Sequence, residues 1–201
     1  MKIFYDCEFL EDGETIRLIS TGMTREDGKS LYRIVGDSRL MVDVYHHPWL
    51  SKNVLPSLPI SAEYDMTDLD GSVKPIVVWD SHHPDYRNVR SREDIAEDVK
   101  RFVLNTPDPE LWAYYGAYDH VAICQLFGRM IDLPTGFPMY TRDLKQEIMR
   151  LGNPPVPEQS TGLHNALADA TWNKETYEFL QALTKAPGRL REPFLRGVSG
   201  E

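Results

Sequence analysis

Residues 2–10 read KIFYDCEFL, and this stretch decides the fold. Ile3, Phe4, Tyr5 and Phe9 favour a pleated, half-buried backbone, so residues 2–9 are predicted to form a strand. With a period of two, Phe4, Asp6 and Glu8 share one face, and Tyr5, Cys7 and Phe9 the other. Asp6 and Glu8 then lie about 7 Å apart, on the side where a core strand would carry apolar groups. Carboxylates are rarely buried unpaired, and neighbouring like charges raise each other's pKa. The pair reads in one of two ways: the solvated face of an edge strand, or oxygen ligands for magnesium or manganese.

The flanking sequence places this strand in a sheet. EDG at 11–13 and EDGK at 26–29 are turn signals, and TIRLISTGMT (15–24) and SLYRIVG (30–36) read as a second and third strand. Three strands joined by Asp-Gly turns predict an antiparallel meander. HHPWLSKNVLPSLP (46–59) is broken by proline and fits one short helix; KPIVVWD (74–80) reads as a short strand or extended run, and SHHPDYRN (81–88) as a loop. SREDIAEDVKRFVLN (91–105) has an N-cap at Ser91, Asp94 three residues on, and Ile95, Val99, Phe102 and Val103 at helical spacing. LWAYYG (111–116) reads as a buried strand, followed by a helix beginning near Asp119. MYTRDLKQEIMRLG (139–152) reads as a helix ended by Gly152, and GLHNALADATWNKETYEFLQALTKA (162–186) as a long one with Leu167, Ala170, Tyr177 and Leu180 apolar. The segment beyond PGRLREP is expected to be peripheral. The order of elements predicts a single α/β domain over residues 1–201, with a mixed sheet.

Composition bounds the function. The chain has 201 residues, 31 acidic and 22 basic, for a net charge of −9. That balance argues against broad, nonspecific nucleic-acid binding but leaves room for an enzyme that touches a few nucleotides. Bound cations would also change the local field. No run of apolar residues is long enough to span a membrane, and MKIFYD lacks the pattern of a secretory leader, so a cytoplasmic protein is expected. Cys7 and Cys124 read as buried thiols in a reducing compartment rather than a disulfide framework.

Further ligands are available for a metal site. Asp119 follows an apolar strand and opens a helix, where it serves as an N-cap or projects into a site at the strand end. Asp169 interrupts the small apolar face HNALADA, and aspartate inside a helix is unfavourable unless it meets water or a partner. His164, five residues earlier, sits about 140° around an ideal helix from Asp169, so the two share a site only if His164 lies on the first turn or the loop before it. Its other reading is an ordinary helix-start residue. Spacing alone does not make these residues meet.

The ordered set Asp6-Cys7-Glu8, Asp119 in YYGAYDHVAI, and His164-NALA-Asp169 resembles the DEDD superfamily of 3′–5′ exonucleases, in the histidine-containing branch with ribonuclease T and oligoribonuclease. The resemblance spans residues 3 to about 182. It implies a ribonuclease H-like α/β fold with a central, mixed five-stranded sheet flanked by helices. It further implies two Mg²⁺ or Mn²⁺ ions held by Asp6, Glu8, Asp119 and Asp169, and His164 as general base. Imidazole, titrating near 6.5 when unperturbed, suits that role at neutral pH. The implied substrate is single-stranded RNA, hydrolysed from its 3′ end to nucleoside 5′-monophosphates. A DNA substrate, or a catalytically silent RNA- or protein-binding module, are the alternatives. Two departures stand out. Phe9 and Leu10 follow Glu8 where relatives carry a small or Thr-like residue, and the segment with YHHPWL and WDSHHPDYR has no counterpart in the common members. These features resemble the mycobacterial and actinobacterial polyadenylate-specific exoribonuclease subgroup, which implies adenylate-rich RNA, and related enzymes are often homodimers.

Phe9 and Leu10 are candidates to stack on or wedge against terminal bases, or else continue the strand into the core. An RNA preference requires a contact to the 2′-OH, for which the backbone and side chains at Cys7 and Glu8 are candidates. His46–His47 and His82–His83 read as turn residues beside proline before they read as zinc ligands. His120 is expected to be structural. Arg142 and Asp143 orient substrate or cap their helix.

Overall fold

The computed structural model describes residues 1–67, 71 and 73–185; the segment from PGRLREP onward lies outside the described residues. Strands β1 (Lys2–Glu11), β2 (Ile16–Arg25) and β3 (Ser30–Val35) form the predicted antiparallel meander. Both Asp-Gly turns place glycine at positive φ, Gly13 at 87° and Gly28 at 85°, where a side chain is disfavoured. Strand β7 (Glu110–Ala113) pairs with β1 in parallel, which puts β1 in the middle of a mixed sheet. The edges are two-residue strands, β6 (Val89–Arg90) beside β3 and β8 (Arg142–Asp143) beside β7.

The sheet therefore has six strands in the order β6-β3-β2-β1-β7-β8, not five. The extended run at 74–80 is not among them. It forms β5 (Val73–Trp79), which pairs only with β4 (Ile60–Thr67) in a separate two-stranded ribbon. The short helix predicted within 46–59 is α2 (Pro48–Asn53), capped by His47; a further helix, α1 (Ser38–His46), capped by Asp37, precedes it in a stretch where none was predicted. A 3₁₀ turn at Leu55–Ser57 follows them.

From Ile3 to Glu8 the alternation along β1 holds and divides the strand between two layers; beyond the irregularity at Glu8–Phe9, Leu10 rather than Phe9 is the residue buried in the core with Tyr5 and Cys7. Helix α3 (Arg92–Leu104) is capped by Ser91, which accepts from the Asp94 amide, and buries Ile95, Val99 and Val103. Those residues join Ile3, Tyr5, Cys7 and Ile123 in one hydrophobic cluster. Ile123 belongs to α4 (Ala117–Cys124). On the other face, Phe4 packs on Tyr177 of α6 (Ala166–Lys185), ring centroids 5.2 Å apart, and Trp112 of β7 packs on the same tyrosine at 4.8 Å. Fully burying an aromatic or large aliphatic side chain contributes about 1.5–3 kcal/mol, so Ile3, Phe4 and Tyr5 anchor β1 from both sides. Asp6 and Glu8 continue the Phe4 face toward the N-terminal end of α6.

The predicted helix over 139–152 is shorter, α5 (Leu144–Arg150). Asp143 caps it, accepting from the Lys145 and Gln146 amides, while Arg142 pairs with Glu110 at 2.9 Å. Both residues thus have structural partners. Cys7 is buried, whereas Cys124 is only half-buried, its Sγ 3.5 Å from His120 Nε2. Among the described residues, no helix is long and apolar enough to cross a membrane.

Candidate active site

Asp6, Glu8 and Asp169 converge. Each offers a carboxylate oxygen within 4.8 Å of the others, the single group of this kind among the described residues. β1 supplies the first two and the first turn of α6 the third. Asn165 sets the direction of that turn, its Oδ1 accepting from the amides of Leu167 and Ala168. Asp169 therefore sits in the first turn of α6, at the positive end of the helix dipole.

Asp119, on the first turn of α4, reaches the same cleft from the opposite side. Its Oδ1 accepts the buried amide of Cys7, the residue between Asp6 and Glu8, at 2.8 Å. The N-cap reading of Asp119 does not hold, since α4 begins at Ala117 behind Gly116; Asp119 stands within the first turn, and the amide its carboxylate accepts belongs to β1. His164 lies off the helix, in the turn before α6, at φ 63°. Its carbonyl accepts from Ser57 Oγ at 3.0 Å, and its ring meets Trp49 edge-to-face at 4.9 Å.

The five residues line one cleft of about 870 Å³, with Phe9, Tyr114, Tyr115, Tyr118 and Trp172 among its aromatic walls. A smaller cavity of about 300 Å³, bounded by His47, Trp49 and Leu50, shares Cys7, Glu8 and Phe9 with it. Phe9 thus stands between the two. Its ring lies nearly parallel to that of Tyr118, centroids 6.1 Å apart. The backbone explains part of this placement, because β2 carries one extra residue, Ile19, opposite the Glu8–Phe9 step. Leu10 lies in the hydrophobic core and lines neither cavity, so of the two residues after Glu8 only Phe9 borders the cleft.

The electrostatics of the cluster call for a cation. Burial drives the Asp6 carboxyl well above its ordinary range, and Asp119, Glu8 and Asp169 push it further. Burial, with Asp169 and Asp119, raises Glu8 to about 8. Asp119 is raised mainly by burial, against the lowering effect of the Cys7 amide. Asp169 is raised by burial too, partly offset by hydrogen bonds from Gln159 and by His164. No lysine or arginine lines the cleft. Crowded carboxylates without a basic partner are charged together only when a metal ion offsets them, and this all-oxygen donor set suits Mg²⁺ or Mn²⁺.

Gln159 is a residue the sequence did not single out. It lies in a segment without regular structure, and its Nε2 donates to Asp169 Oδ1 at 2.7 Å. Trp172 ties the same segment down, Nε1 donating to the Pro157 carbonyl at 2.9 Å. The histidine pairs lie outside the acidic cluster. His47 Nδ1 accepts from the Leu50 amide and His83 Nδ1 from the Asp85 amide, so each caps a helical turn.

The profile of the 3′–5′ exoribonuclease Rv2179c-like domain matches residues 1–181. Two Mycobacterium tuberculosis proteins, the 3′–5′ exoribonuclease Rv2179c of strain H37Rv and the 3′–5′ exoribonuclease MT2234.1 of strain CDC 1551, are similar to the chain. Each is 38% identical over 172 residues, which is 85% of this chain and 87% of the relative. Among solved structures, Schizosaccharomyces pombe Pop2p in its Mg²⁺- and Mn²⁺-bound form aligns with a TM-score of 0.49 at 12% identity, over 92% of this chain and 83% of that one. The chain belongs to the Rv2179c-like family of 3′–5′ exoribonuclease domains, within the DEDD superfamily.

Proposed function

We propose that the chain is a metal-dependent 3′–5′ exoribonuclease that shortens single-stranded RNA from its 3′ end and releases nucleoside 5′-monophosphates. The observation that carries this reading is the convergence of Asp6, Glu8 and Asp169 in a cleft that also holds Asp119 and His164.

In this reading Asp6, Glu8 and Asp169 hold a divalent ion, and Asp119 completes the set for a second. When bound, such ions supply an activated water and offset charge on the phosphate and the leaving 3′ oxygen. The chain's own residues do the rest. His164 takes the water's proton at an imidazole nitrogen. Phe9 and Tyr118 orient the terminal base by stacking, which tolerates any sequence. Asp119 fixes β1 through the Cys7 amide, so that Asp6 and Glu8 keep their relative position. Discrimination against DNA is assigned to a contact between Glu8 or the adjoining backbone at Cys7 and the 2′-OH.

A preference for adenylate-rich RNA is part of the proposal and rests on the subgroup resemblance of the sequence. So is pairing of two chains. The β4–β5 ribbon exposes Tyr64, Met66, Val73 and Val78, and a two-stranded ribbon gains stability from a covering surface. A cytoplasmic setting is consistent with two free thiols.

The test is incubation with 5′-labelled homopolymers of RNA and DNA, each with Mg²⁺, Mn²⁺ or EDTA. The expected result is a ladder shortening from the 3′ end, with RNA and metal only, and fastest on polyadenylate. Digestion of DNA at equal rate would move the assignment to a DNA exonuclease. Inertness toward every polymer, with binding retained, would favour the silent module.

A further inference from the structure

We infer that Trp49 and Ser57 form a clasp on the His164 turn, and that Trp49 is a positioning residue for the hydrolytic step; this rests on His164 acting as general base. The two residues come from α2 and the 3₁₀ turn after it.

His164 needs such a clasp. It precedes α6 and lies at φ 63°, a region costly for any residue with a Cβ, so surrounding contacts must hold it there. Ser57 supplies a polar contact. Its hydroxyl faces two carbonyls, Val54 at 2.8 Å and His164 at 3.0 Å, and so joins the two segments through one shared hydrogen. Trp49 supplies the other contact. Its ring stands 78° to the imidazole at a centroid distance of 4.9 Å, an edge-to-face pair. The turn fixes the backbone of His164, and the indole closes off part of the rotation of its side chain.

Trp49 is not explained by the core, since it remains 49% exposed. Its own position is well defined. His47 caps α2, and the Trp49 carbonyl accepts from Asn53 Nδ2 at 2.8 Å. Trp49 also borders the smaller cavity, beside Glu8 and Phe9, which makes it the link between the His164 turn and the metal strand.

The test is steady-state kinetics on a single-stranded oligoribonucleotide, with thermal melting as a check on folding. Misplacing a reacting group by about 1 Å costs on the order of 100-fold, so Trp49→Ala should lower kcat about 10- to 100-fold. KM and the Mg²⁺ dependence should stay within about twofold, as expected when only a transition-state interaction is lost. Trp49→Phe keeps an aromatic edge and should recover most of the rate. Ser57→Ala should lower kcat in the same sense, and Ser57→Thr should restore it. Added to His164→Ala, the Trp49→Ala change should cost nothing further, because it acts through the missing ring. In NMR spectra, the His164 ring protons should shift when the indole is removed.

Unchanged kcat in Trp49→Ala, a change confined to KM, or full additivity with His164→Ala would overturn the inference. Full turnover by His164→Ala alone is a separate outcome that removes the general-base reading itself.

Discussion

The amide of Cys7 donates to Oδ1 of Asp119 at 2.8 Å, across 112 residues of sequence. The amide belongs to the one residue between Asp6 and Glu8, so this bond couples the spacing of the β1 carboxylates to the position of α4. A buried amide left without an acceptor costs about 1–3 kcal/mol, so Asp119 acts on the fold as well as on the charge of the cleft.

Asp119→Asn and Asp119→Ala separate those two effects. Asn keeps an oxygen for the Cys7 amide and removes a charge that its neighbours repel. Its melting temperature in EDTA should equal or exceed that of the parent, while RNA hydrolysis falls at least about 100-fold. Ala orphans the amide and should lose about 1–3 kcal/mol of stability as well. Equal stability of the two variants in denaturant titrations would show that the bond does not anchor β1.

The acidic cluster predicts how stability depends on pH. Glu8 is held near 8, and Asp6, Asp119 and Asp169 are all raised, chiefly by burial. The folded chain therefore keeps protons that the unfolded chain has released, and metal-free stability falls as pH rises from about 4.5 toward 8. His120 has the opposite sign at the acid end, because burial lowers its pKa and protonation there favours unfolding. The clean window is thus pH 6.5–8, where melting in EDTA should decline. Mg²⁺ takes the place of the protons, so its stabilising shift should grow over the same window. A metal-free melting temperature that stays level or climbs between those limits contradicts this account.

Phe9 divides the two cavities and faces Tyr118, which is 55% exposed. Base–aromatic stacking is worth about 1–3 kcal/mol, so Phe9→Ala and Tyr118→Ala should each raise KM for single-stranded RNA roughly 5- to 150-fold. The rate at saturation should change much less. Loss of stability in Phe9→Ala with KM intact would assign the ring to packing alone.

The parts legible in the sequence are those with a long, one-sided pattern. α3 repeats Ile95, Val99 and Val103 behind a Ser91 cap, so one periodicity identifies both element and buried face, whereas β1 reads as a run of strand-forming residues and is buried on both faces. Of the β4–β5 ribbon, β5 is legible as the run KPIVVWD, whereas β4 has no such pattern, with Tyr64 and Met66 exposed on it. Strands β6 and β8 are two residues long, too short for any pattern, and exist through pairing with β3 and β7. Within the site, the carboxylates stood out as polar residues in apolar runs. Gln159, Trp49 and Ser57 carry no such mark. They reach Asp169 and His164 from irregular or short segments, and the Ser57–His164 contact spans 107 residues.

Gly22 offers a test of the joint on which the whole site depends. It pairs with Asp6 across the sheet, and α6 begins directly above it. A Cβ at Gly22 would lie 2.2 Å from the carbonyl oxygen of Ala166 and 2.3 Å from the Leu167 amide nitrogen. These are backbone atoms of the first turn of α6, which cannot swing aside as a side chain does. Gly22→Ala must therefore displace that turn from the sheet, and with it Asp169 and the His164 turn just before it. Overpacking of this kind costs about 1–3 kcal/mol, so the variant should fold with a lowered melting temperature. Hydrolysis should fall by more than stability explains, about 100-fold at a temperature where the variant is fully folded. The Mg²⁺ concentration for half-maximal rate should rise too, because Asp169 moves away from Asp6 and Glu8. A folded Gly22→Ala chain with parental rate and metal dependence would show that the close approach of α6 to β2 is not what brings the acidic cluster together.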